Sequence, residues 1–330
     1  MKNNNNTSRR QFLAAGSLAS LGLLWASNSS FSFAKPNSVF GGVQIGAITY
    51  SFRGMPGDIK QIIQYCVESG VSAIELMGDA VEDYAGRPAN PVPMRWTPGQ
   101  PRPTLTDEQK AALAQYQKDV AAWRESVSMD KFKQVRKMLD DAGISVYAYK
   151  PNAFGEKNSD AEVESALRAA KVLGAQSVTL ELPSAAQTLR LGALGEKHKI
   201  YFGYHTHTQV KDTVYDEALA QNKYNSINLD AGHYIAVGAP HTTASLIAFI
   251  EAKHDRISSM HIKDRTSKEH GAGNLAWGNG DTPLKELLTL MKKNKYKFPA
   301  TVELEYEVPV GSTAVEEVKK CVAYAKNILA

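Results

Sequence analysis

Residues 226–264 read SINLDAGHYIAVGAPHTTASLIAFIEAKHDRISSMHIKD and contain two β-rich segments separated by an amphipathic helix pattern. The helix pattern, ASLIAFIEAKH, follows Thr242 and Thr243, either of which can cap its first turn. A strand, a helix and a second strand in this order predict two parallel strands joined by a helical crossover.

The same unit repeats along the chain. Six further β-rich runs are VQIGAITYSF at 43–52, SAIELMGD at 72–79, SVYAYKP at 145–151, SVTLELP at 177–183, IYFGYHTH at 200–207 and ATVELEYE at 300–307. Helix patterns begin after Ser159 and Ser312. Eight such units predict a single-domain α/β fold, the (β/α)₈ TIM barrel. A doubly wound open sheet is the alternative, and it is disfavoured because no glycine-rich phosphate turn follows the first strand.

The first 34 residues predict an export signal. Arg9 and Arg10 precede an apolar stretch from Phe12 to about Ala26, and SFA at 32–34 places small residues where a signal peptidase cuts. Adjacent arginines resemble the twin-arginine signal of proteins that are exported after folding. An ordinary secretory signal or a membrane anchor is the alternative. We therefore expect a mature barrel of residues 35–330 in the periplasm, outside the membrane.

The charge of the mature chain argues against nucleic acid as a partner. The full chain of 330 residues has a formal net charge of +4. Removal of residues 1–34 leaves 35 basic against 34 acidic side chains, a net charge of +1. A chain so close to neutral lacks the basic surface that binds phosphate backbones.

A long insertion, residues 80–144, separates the second and third predicted strands. It contains the run GRPANPVPMRWTPGQPRP at 86–103, with six of the 14 prolines, and a helix opened by Thr106. Because it follows the C-terminal end of a barrel strand, this proline-rich loop is expected to be a lid or substrate wall. A structural or subunit-contact loop is the alternative, so a homo-oligomer stays open. Arg95 and Trp96 are its candidate substrate contacts.

Histidines and carboxylates collect at the predicted ends of the later strands. Carboxylates end the fourth, sixth and eighth strands, and five of the eight histidines lie at or just beyond strands five to seven. The carboxylates are Glu181, Asp230, Glu303 and Glu305, and the histidines are His205, His207, His233, His261 and His270. Strand ends of a barrel meet at one mouth. Imidazole and carboxylate donors there predict a site for Mn²⁺, Zn²⁺, Co²⁺ or Fe²⁺.

Four motifs in the second half resemble the xylose-isomerase-like barrel superfamily, which includes sugar phosphate isomerases and epimerases, inosose dehydratases and AP endonucleases of family 2. They are LDAGH at 229–233, MHIKDR at 260–265, GNGD at 278–281 and VELEYE at 302–307. The resemblance spans essentially the mature chain and is strongest from Tyr201 to Glu307. It implies a divalent metal, Mn²⁺ first and Co²⁺, Zn²⁺ or Mg²⁺ as alternatives, on Asp230, His261 and Glu303. Glu305 points to the same side of the strand as Glu303, so the choice between them stays open.

The fifth predicted strand departs from the pattern of the epimerases in this superfamily. Those enzymes carry there a glutamate that binds the metal and moves a proton, whereas this chain has Tyr204-His205-Thr206-His207. His205 aligns with the glutamate and can bind a metal as a neutral imidazole. The Tyr-His-X-His run is similar to inosose dehydratases, which remove a proton beside a carbonyl and expel a β-hydroxyl.

Acid and base candidates follow from position at the barrel mouth. They are His207, His233, Lys150, Lys263 and Glu181, since His and desolvated Lys can act as bases near neutral pH. Glu181 is either a base or an extra metal ligand. For Lys150, a salt bridge to Glu181 or Glu75 is an equal alternative. Candidate substrate contacts are Glu75 and Lys263, in addition to the two residues of the proline-rich loop.

The leading hypothesis is a metal-dependent isomerase or epimerase that abstracts a proton next to the carbonyl of a sugar or keto-sugar through a metal-bound enediolate. The alternative is a keto-sugar dehydratase or 3-keto-glycoside lyase that uses the same site. A non-catalytic sugar-binding barrel and a zinc-dependent endonuclease are less favoured. Because export disfavours phosphorylated sugars, the expected partner is a free sugar or an oxidised glycoside.

Overall fold

The computed structural model describes residues 35–92 and 104–330. Eight parallel strands form a closed barrel in which each strand pairs with its neighbours in the chain and the first also pairs with the last. The strands are β1 (Val43–Ile48), β2 (Ala73–Met77), β3 (Ser145–Lys150), β4 (Ser177–Glu181), β5 (Tyr201–His205), β6 (Asn225–Asp230), β7 (Ile257–Ile262) and β8 (Ala300–Val302). This architecture confirms the predicted (β/α)₈ barrel.

Helices surround the barrel. They are α1 (Ile59–Ser69), α2 (Gly78–Tyr84), α3 (Asp107–Ser126), α4 (Asp130–Ala142), α5 (Asp160–Leu173), α6 (Ala185–His198), α7 (Asp216–Gln221), α8 (Ala231–Ala236), α9 (Thr243–Lys253), α10 (Leu284–Asn294) and α11 (Ala314–Leu329). Ser159 and Thr242 cap α5 and α9 through capping boxes, as their sequences predict. The last helix is capped by Thr313, one residue after the predicted Ser312.

The first, sixth and eighth strands end several residues earlier than their sequences indicate, and polar side chains lie where each of them stops. After β1, residues Thr49–Phe52 form a 3₁₀ turn, and Thr49 Oγ1 accepts a hydrogen bond from the Met77 N–H. After β6 the chain enters α8 directly, and the side chain of Asp230 caps that helix. Since β8 ends at Val302, the two glutamates of VELEYE lie just beyond it.

The upper part of the barrel interior is polar. Glu75 of β2 reaches across to β4 and β6, where it accepts hydrogen bonds from Thr179 Oγ1 at 2.6 Å and Asn228 Nδ2 at 3.1 Å. All three residues are fully buried. The apolar core lies instead mainly between the barrel wall and the helices. Buried polar groups of this kind must be paired, so their presence at this depth singles out the region as functional.

Helices α2, α3 and α4 lie between β2 and β3. Arg124 of α3 is buried and pairs with Glu82 of α2 at 3.1 Å and with Glu162 of α5 at 3.8 Å, which fixes α3 against the barrel. The end of the proline-rich loop, residues 93–103, lies outside the described residues, and so do Arg95 and Trp96. The role of that loop as a lid or substrate wall therefore stays a prediction.

Residues 1–34, which carry the predicted export signal, also lie outside the described part of the chain. Within residues 35–92 and 104–330, no helix has both the length and the apolar character needed to span a bilayer.

Candidate metal centre

Four side chains from neighbouring strands meet at the carboxyl end of the barrel. His205 ends β5, Asp230 ends β6, His261 is the penultimate residue of β7, and Glu303 follows β8. Asp230 and His261 are register partners, and the Glu303 N–H continues the pairing of β8 with β7. All four are buried, with 0 to 7% of each residue exposed. The parallel register therefore brings together the residues that the sequence predicted as ligands.

In this group, hereafter the buried donor set, the donor atoms of His205, Asp230 and His261 lie within 4.8 Å of one another, and Glu303 contacts His261. Asp230 Oδ2 lies 3.9 Å from both His205 Nε2 and His261 Nδ1, and Glu303 Oε2 lies 3.0 Å from His261 Nδ1. Asp230 Oδ2 is buried, and the ammonium group of Lys263 lies 2.9 Å from it. Ligands about 2.0–2.2 Å from one ion lie about 3–4 Å apart. The spacing and the donor chemistry fit a divalent metal ion.

The imidazole of His205 is oriented by Asn228, two residues before Asp230 on β6. Because Asn228 Nδ2 donates to the Glu75 carboxylate, its Oδ1 faces His205 Nδ1 at 3.4 Å. This contact favours a proton on Nδ1 and leaves Nε2 free to bind a metal. Burial, followed by the charge of His261, lowers the pKa of His205 to about 4. His205 is therefore neutral at pH 7.

His261 lies between two carboxylates. Its Nε2 is 2.8 Å from Glu75 Oε2, and its Nδ1 is 3.0 Å from Glu303 Oε2. Although burial by itself lowers the pKa of His261, the charges of Glu303 and Glu75 raise it to about 10. Conversely, burial raises the pKa of Glu75, but His261 and other partners hold it down at about 2. Glu75 thus binds the Nε2 side of His261, a potential ligand, as carboxylates do for the metal-binding histidines of other proteins.

The ammonium group of Lys263 lies among the carboxylates. Its Nζ is 2.9 Å from Asp230 Oδ2, 2.6 Å from Glu303 Oε2 and 2.7 Å from Glu305 Oε2. Burial opposes the charge of Lys263, yet these three carboxylates raise its pKa above the ordinary value. Burial raises the pKa of Asp230, but Lys263, His233 and His205 together lower it to about 2. Lys263 stays charged and paired.

A second group, hereafter the rim cluster, lies farther out. Glu181 of β4 is 3.4 Å from Lys150 Nζ through Oε1 and 3.3 Å from His207 Nδ1 through Oε2. The side chains of Glu181 and His207 are about half exposed, and that of Lys150 is 21% exposed. The expected salt bridge of Lys150 is therefore made with Glu181. These three groups can exchange protons with a molecule that enters the mouth.

His233 of α8 connects the two groups. Its ring lies 4.6 Å from that of His207, and its Nδ1 is 2.6 Å from Arg265 Nη1. Burial lowers the pKa of His233 to about 3, even though Asp230 opposes this effect. Arg265 Nη1 faces Nδ1 and the ammonium Nζ of Lys263 lies 3.2 Å from Nε2, so a cationic donor lies at each ring nitrogen. Nitrogen atoms of His205, His207 and His233 also lie within 4.8 Å of one another.

The structure separates the two glutamates that the sequence left open. Glu303 contacts His261 and is buried, whereas the side chain of Glu305 is 22% exposed and pairs with Lys263. His270 lies apart from the mouth cluster and pairs with Asp281 at 2.7 Å.

Asn228 and Arg265, which contact His205 and His233, are site residues that were not predicted from the sequence. Strand periodicity could have found Asn228, because residues two apart on a strand face the same side. Arg265 stands at the end of the MHIKDR motif, but its contact depends on the fold of the following loop.

A closed eight-stranded barrel with potential metal ligands at its carboxyl end defines the class of protein. The chain belongs to the xylose isomerase-like TIM barrel family, whose sequence profile matches residues 63–326. This membership confirms the resemblance seen in the four sequence motifs. Among curated proteins, none matches the chain.

Solved structures share the fold at low sequence identity. A sugar phosphate isomerase/epimerase from Parabacteroides distasonis is 18% identical, with a TM-score of 0.57 over 88% of this chain and 96% of that one. A probable 3-DHS dehydratase from Bacillus anthracis is 14% identical, with a TM-score of 0.57 over 85% and 97%. A 3-keto-D-glucoside 4-epimerase from E. coli is 13% identical, with a TM-score of 0.56 over 86% and 99%.

Proposed function

We propose that this protein is a divalent-metal-dependent enzyme of the isomerase and epimerase type, which removes the proton next to the carbonyl of a sugar or keto-sugar. The observation that carries the proposal is the arrangement of the buried donor set, in which Asp230 Oδ2 lies 3.9 Å from both His205 Nε2 and His261 Nδ1. Imidazole and carboxylate donors at this spacing are typical of divalent-metal sites. The ammonium group of Lys263 faces two carboxylates of this set, those of Asp230 and Glu303.

The metal would be held by His205, Asp230, His261 and Glu303. Glu305 is left out of the ligand set because its side chain is 22% exposed, whereas Glu303 is buried and contacts His261 at 3.0 Å. When bound, a divalent ion polarises a carbonyl and stabilises the negative charge that develops as the neighbouring proton leaves. Mn²⁺ is the metal we expect first, since a mixture of carboxylates and imidazoles suits it.

The rim cluster would move the protons. Glu181 is an open carboxylate held by Lys150 on one side and His207 on the other, so it can accept a proton from a carbon atom in the mouth. Glu181 would then carry this proton and return it to a carbon of the substrate, while His207, half of whose side chain faces solvent, would exchange a proton with the substrate oxygen. His233 is buried and neutral, and it would position the substrate rather than titrate.

The substrate we propose is an unphosphorylated sugar or an oxidised glycoside in the periplasm. Phosphorylated sugars are confined mainly to the cytoplasm, whereas residues 1–34 carry the predicted export signal. The fold shared with a 3-keto-D-glucoside 4-epimerase supports a keto-sugar, because inversion beside a ketone begins with loss of the adjacent proton.

The test is proton exchange in D₂O. Mn²⁺-loaded protein is incubated with free ketoses and 3-keto-glucosides, and NMR follows deuterium incorporation next to the carbonyl. We expect incorporation with the wild type and none with Asp230→Asn. A wild-type protein that binds Mn²⁺ but exchanges no proton of any of these substrates would overturn the reaction, and a protein that takes up no metal would overturn the metal dependence.

Elimination from a keto-glycoside is the second candidate, and the residue at the end of β5 favours it. His205 is a neutral imidazole fixed by Asn228, so it does not supply the second proton-moving carboxylate of an epimerase. In that reaction Glu181 and His207, which contact each other at the mouth, would remove the proton and protonate the leaving group. Release of the aglycone in the same incubations identifies this reaction.

A further inference from the structure

Lys263 occupies the place among the carboxylates that a metal ion would need. Its Nζ lies within 2.9 Å of oxygens of Asp230, Glu303 and Glu305. Two of these oxygens, on Asp230 and Glu303, belong to the buried donor set that also faces His261. An ammonium group at hydrogen-bonding distance from both cannot stay in place while the same two oxygens bind another cation.

The fold reserves space for this side chain. Gly232, at the start of α8, packs against Lys263, and a Cβ at this position would overlap the lysine stem and lie 2.9 Å from the Lys263 carbonyl oxygen. Only 2% of Lys263 is exposed. A buried lysine that pairs with three carboxylates and has room provided by a glycine is a built part of the site, unlike a surface lysine that happens to reach it.

Charge explains why a resident cation is useful here. Glu75, Asp230, Glu303 and Glu305 bring four carboxylates close together, and like charges at short range in a buried site destabilise the fold. Lys263 neutralises part of this charge until a divalent ion arrives. Glu305 is the outermost of its three partners, with a side chain 22% exposed, so it marks the direction in which the ammonium can withdraw.

We propose that Lys263 is an internal cation that competes with the divalent metal: it holds the carboxylates of Asp230 and Glu303 until it is displaced toward Glu305, and it thereby lowers the metal affinity of the site. This inference rests on the proposed metal dependence. It assigns to Lys263 a role toward the metal in place of the substrate contact that its sequence position suggested.

The test measures metal affinity directly. Lys263→Met removes the charge and keeps the length of the side chain, and Lys263→Gln is a second neutral variant in case the first folds poorly. The Kd for Co²⁺ and Mn²⁺ is measured by competition with a fluorescent chelator. Because the displaced charge no longer opposes binding, we expect Kd to fall by about tenfold or more. An unchanged or higher Kd in the folded variants overturns the competition.

Lys150→Met is the matched control, since Lys150 lies at the same mouth but pairs with Glu181, outside the buried donor set. We expect its Kd to stay within about threefold of the wild type. If Lys150→Met tightens metal binding as much as Lys263→Met, the effect comes from the loss of any positive charge at the mouth, and the proposal fails. If neither the wild type nor the variants bind metal, the proposed function fails as well; if all bind equally, only this inference fails.

The wild type provides a readout that needs no substitution. Lys263 is labelled with an amine-reactive reagent with and without saturating Mn²⁺, and peptide mass spectrometry follows the extent of labelling. Displacement toward Glu305 predicts faster labelling of Lys263 in the presence of metal, while Lys150 serves as the internal reference. Equal labelling rates would contradict displacement.

Discussion

The buried donor set and the rim cluster contain the same kinds of side chain but differ in their surroundings. In the buried donor set, His261 has a carboxylate partner at each ring nitrogen and His205 has Asn228 behind it. In the rim cluster, Glu181 and His207 contact each other, and half of each side chain faces solvent. Rigid, desolvated donors suit ion binding, whereas open groups suit proton exchange with a substrate.

Because of this difference, we expect the two groups to have different roles, ion binding deeper in the barrel and proton exchange nearer its mouth. Side chains that touch the floor formed by Glu75 and Asn228 are fixed before any ligand arrives, and their geometry is set by strand register. The side chains of the rim cluster, one layer farther out, have fewer partners and can move with a bound substrate. Substitutions in the two groups should therefore separate metal binding from turnover.

The largest effect is expected for Asp230→Asn. Asparagine keeps the cap of α8, because its side-chain oxygen can still accept from the His233 N–H, but it removes the negative charge at the centre of the donor set. We expect loss of bound metal and a fall in turnover of about 10³-fold or more. Metal content is measured by mass spectrometry of purified protein, and full metal content in this variant would show that Asp230 is not a ligand.

Glu181→Gln and His207→Asn should show the opposite pattern. Metal content should match the wild type, while kcat falls by about 10²-fold or more because a proton-moving group is lost. The exposed His254, which lies just before β7, provides the control His254→Asn, with kcat unchanged. Loss of metal in either rim variant would place that residue in the ligand set and remove the distinction between the two groups.

Glu75→Gln tests the support behind the donor set. Glutamine has nearly the same shape but no charge, so it no longer holds the proton on His261 Nε2 as strongly. We expect metal affinity to fall by about 10-fold to 100-fold, as for other carboxylates behind histidine ligands. Chelator competition measures this loss, and addition of excess Mn²⁺ should restore turnover. Failure of excess metal to restore turnover would instead give Glu75 a direct part in the reaction.

Ser159→Ala is expected to have the smallest effect, and it lies outside both groups. Ser159 caps α5 by accepting from the Glu162 N–H, so its loss should lower the free energy of unfolding by about 1 kcal/mol. Metal affinity should not change. Urea unfolding measures the difference, and Ser159→Asn, which retains a capping oxygen, should stay near the wild type. A change in metal affinity would show that the outer helices influence the site.

Much of the site could be predicted because it follows strand ends. His205, Asp230 and His261 terminate or nearly terminate parallel strands, and the barrel topology alone brings such positions together. The part that escaped prediction depends on contacts across the barrel. Glu75 was expected to touch the substrate, yet it lies beneath the donor set, because its strand places it at a lower level of the interior.

The sequence by itself determined the barrel, the family and the residues that gather at the mouth, since strand and helix periodicity and the order of motifs are local properties of the chain. Tertiary structure decided the rest: that Glu303 joins His261 while Glu305 turns to Lys263, and that an ammonium group lies among the carboxylates. These outcomes depend on distances of about 3 Å between residues far apart in the chain, over which electrostatic and hydrogen-bond energies change steeply.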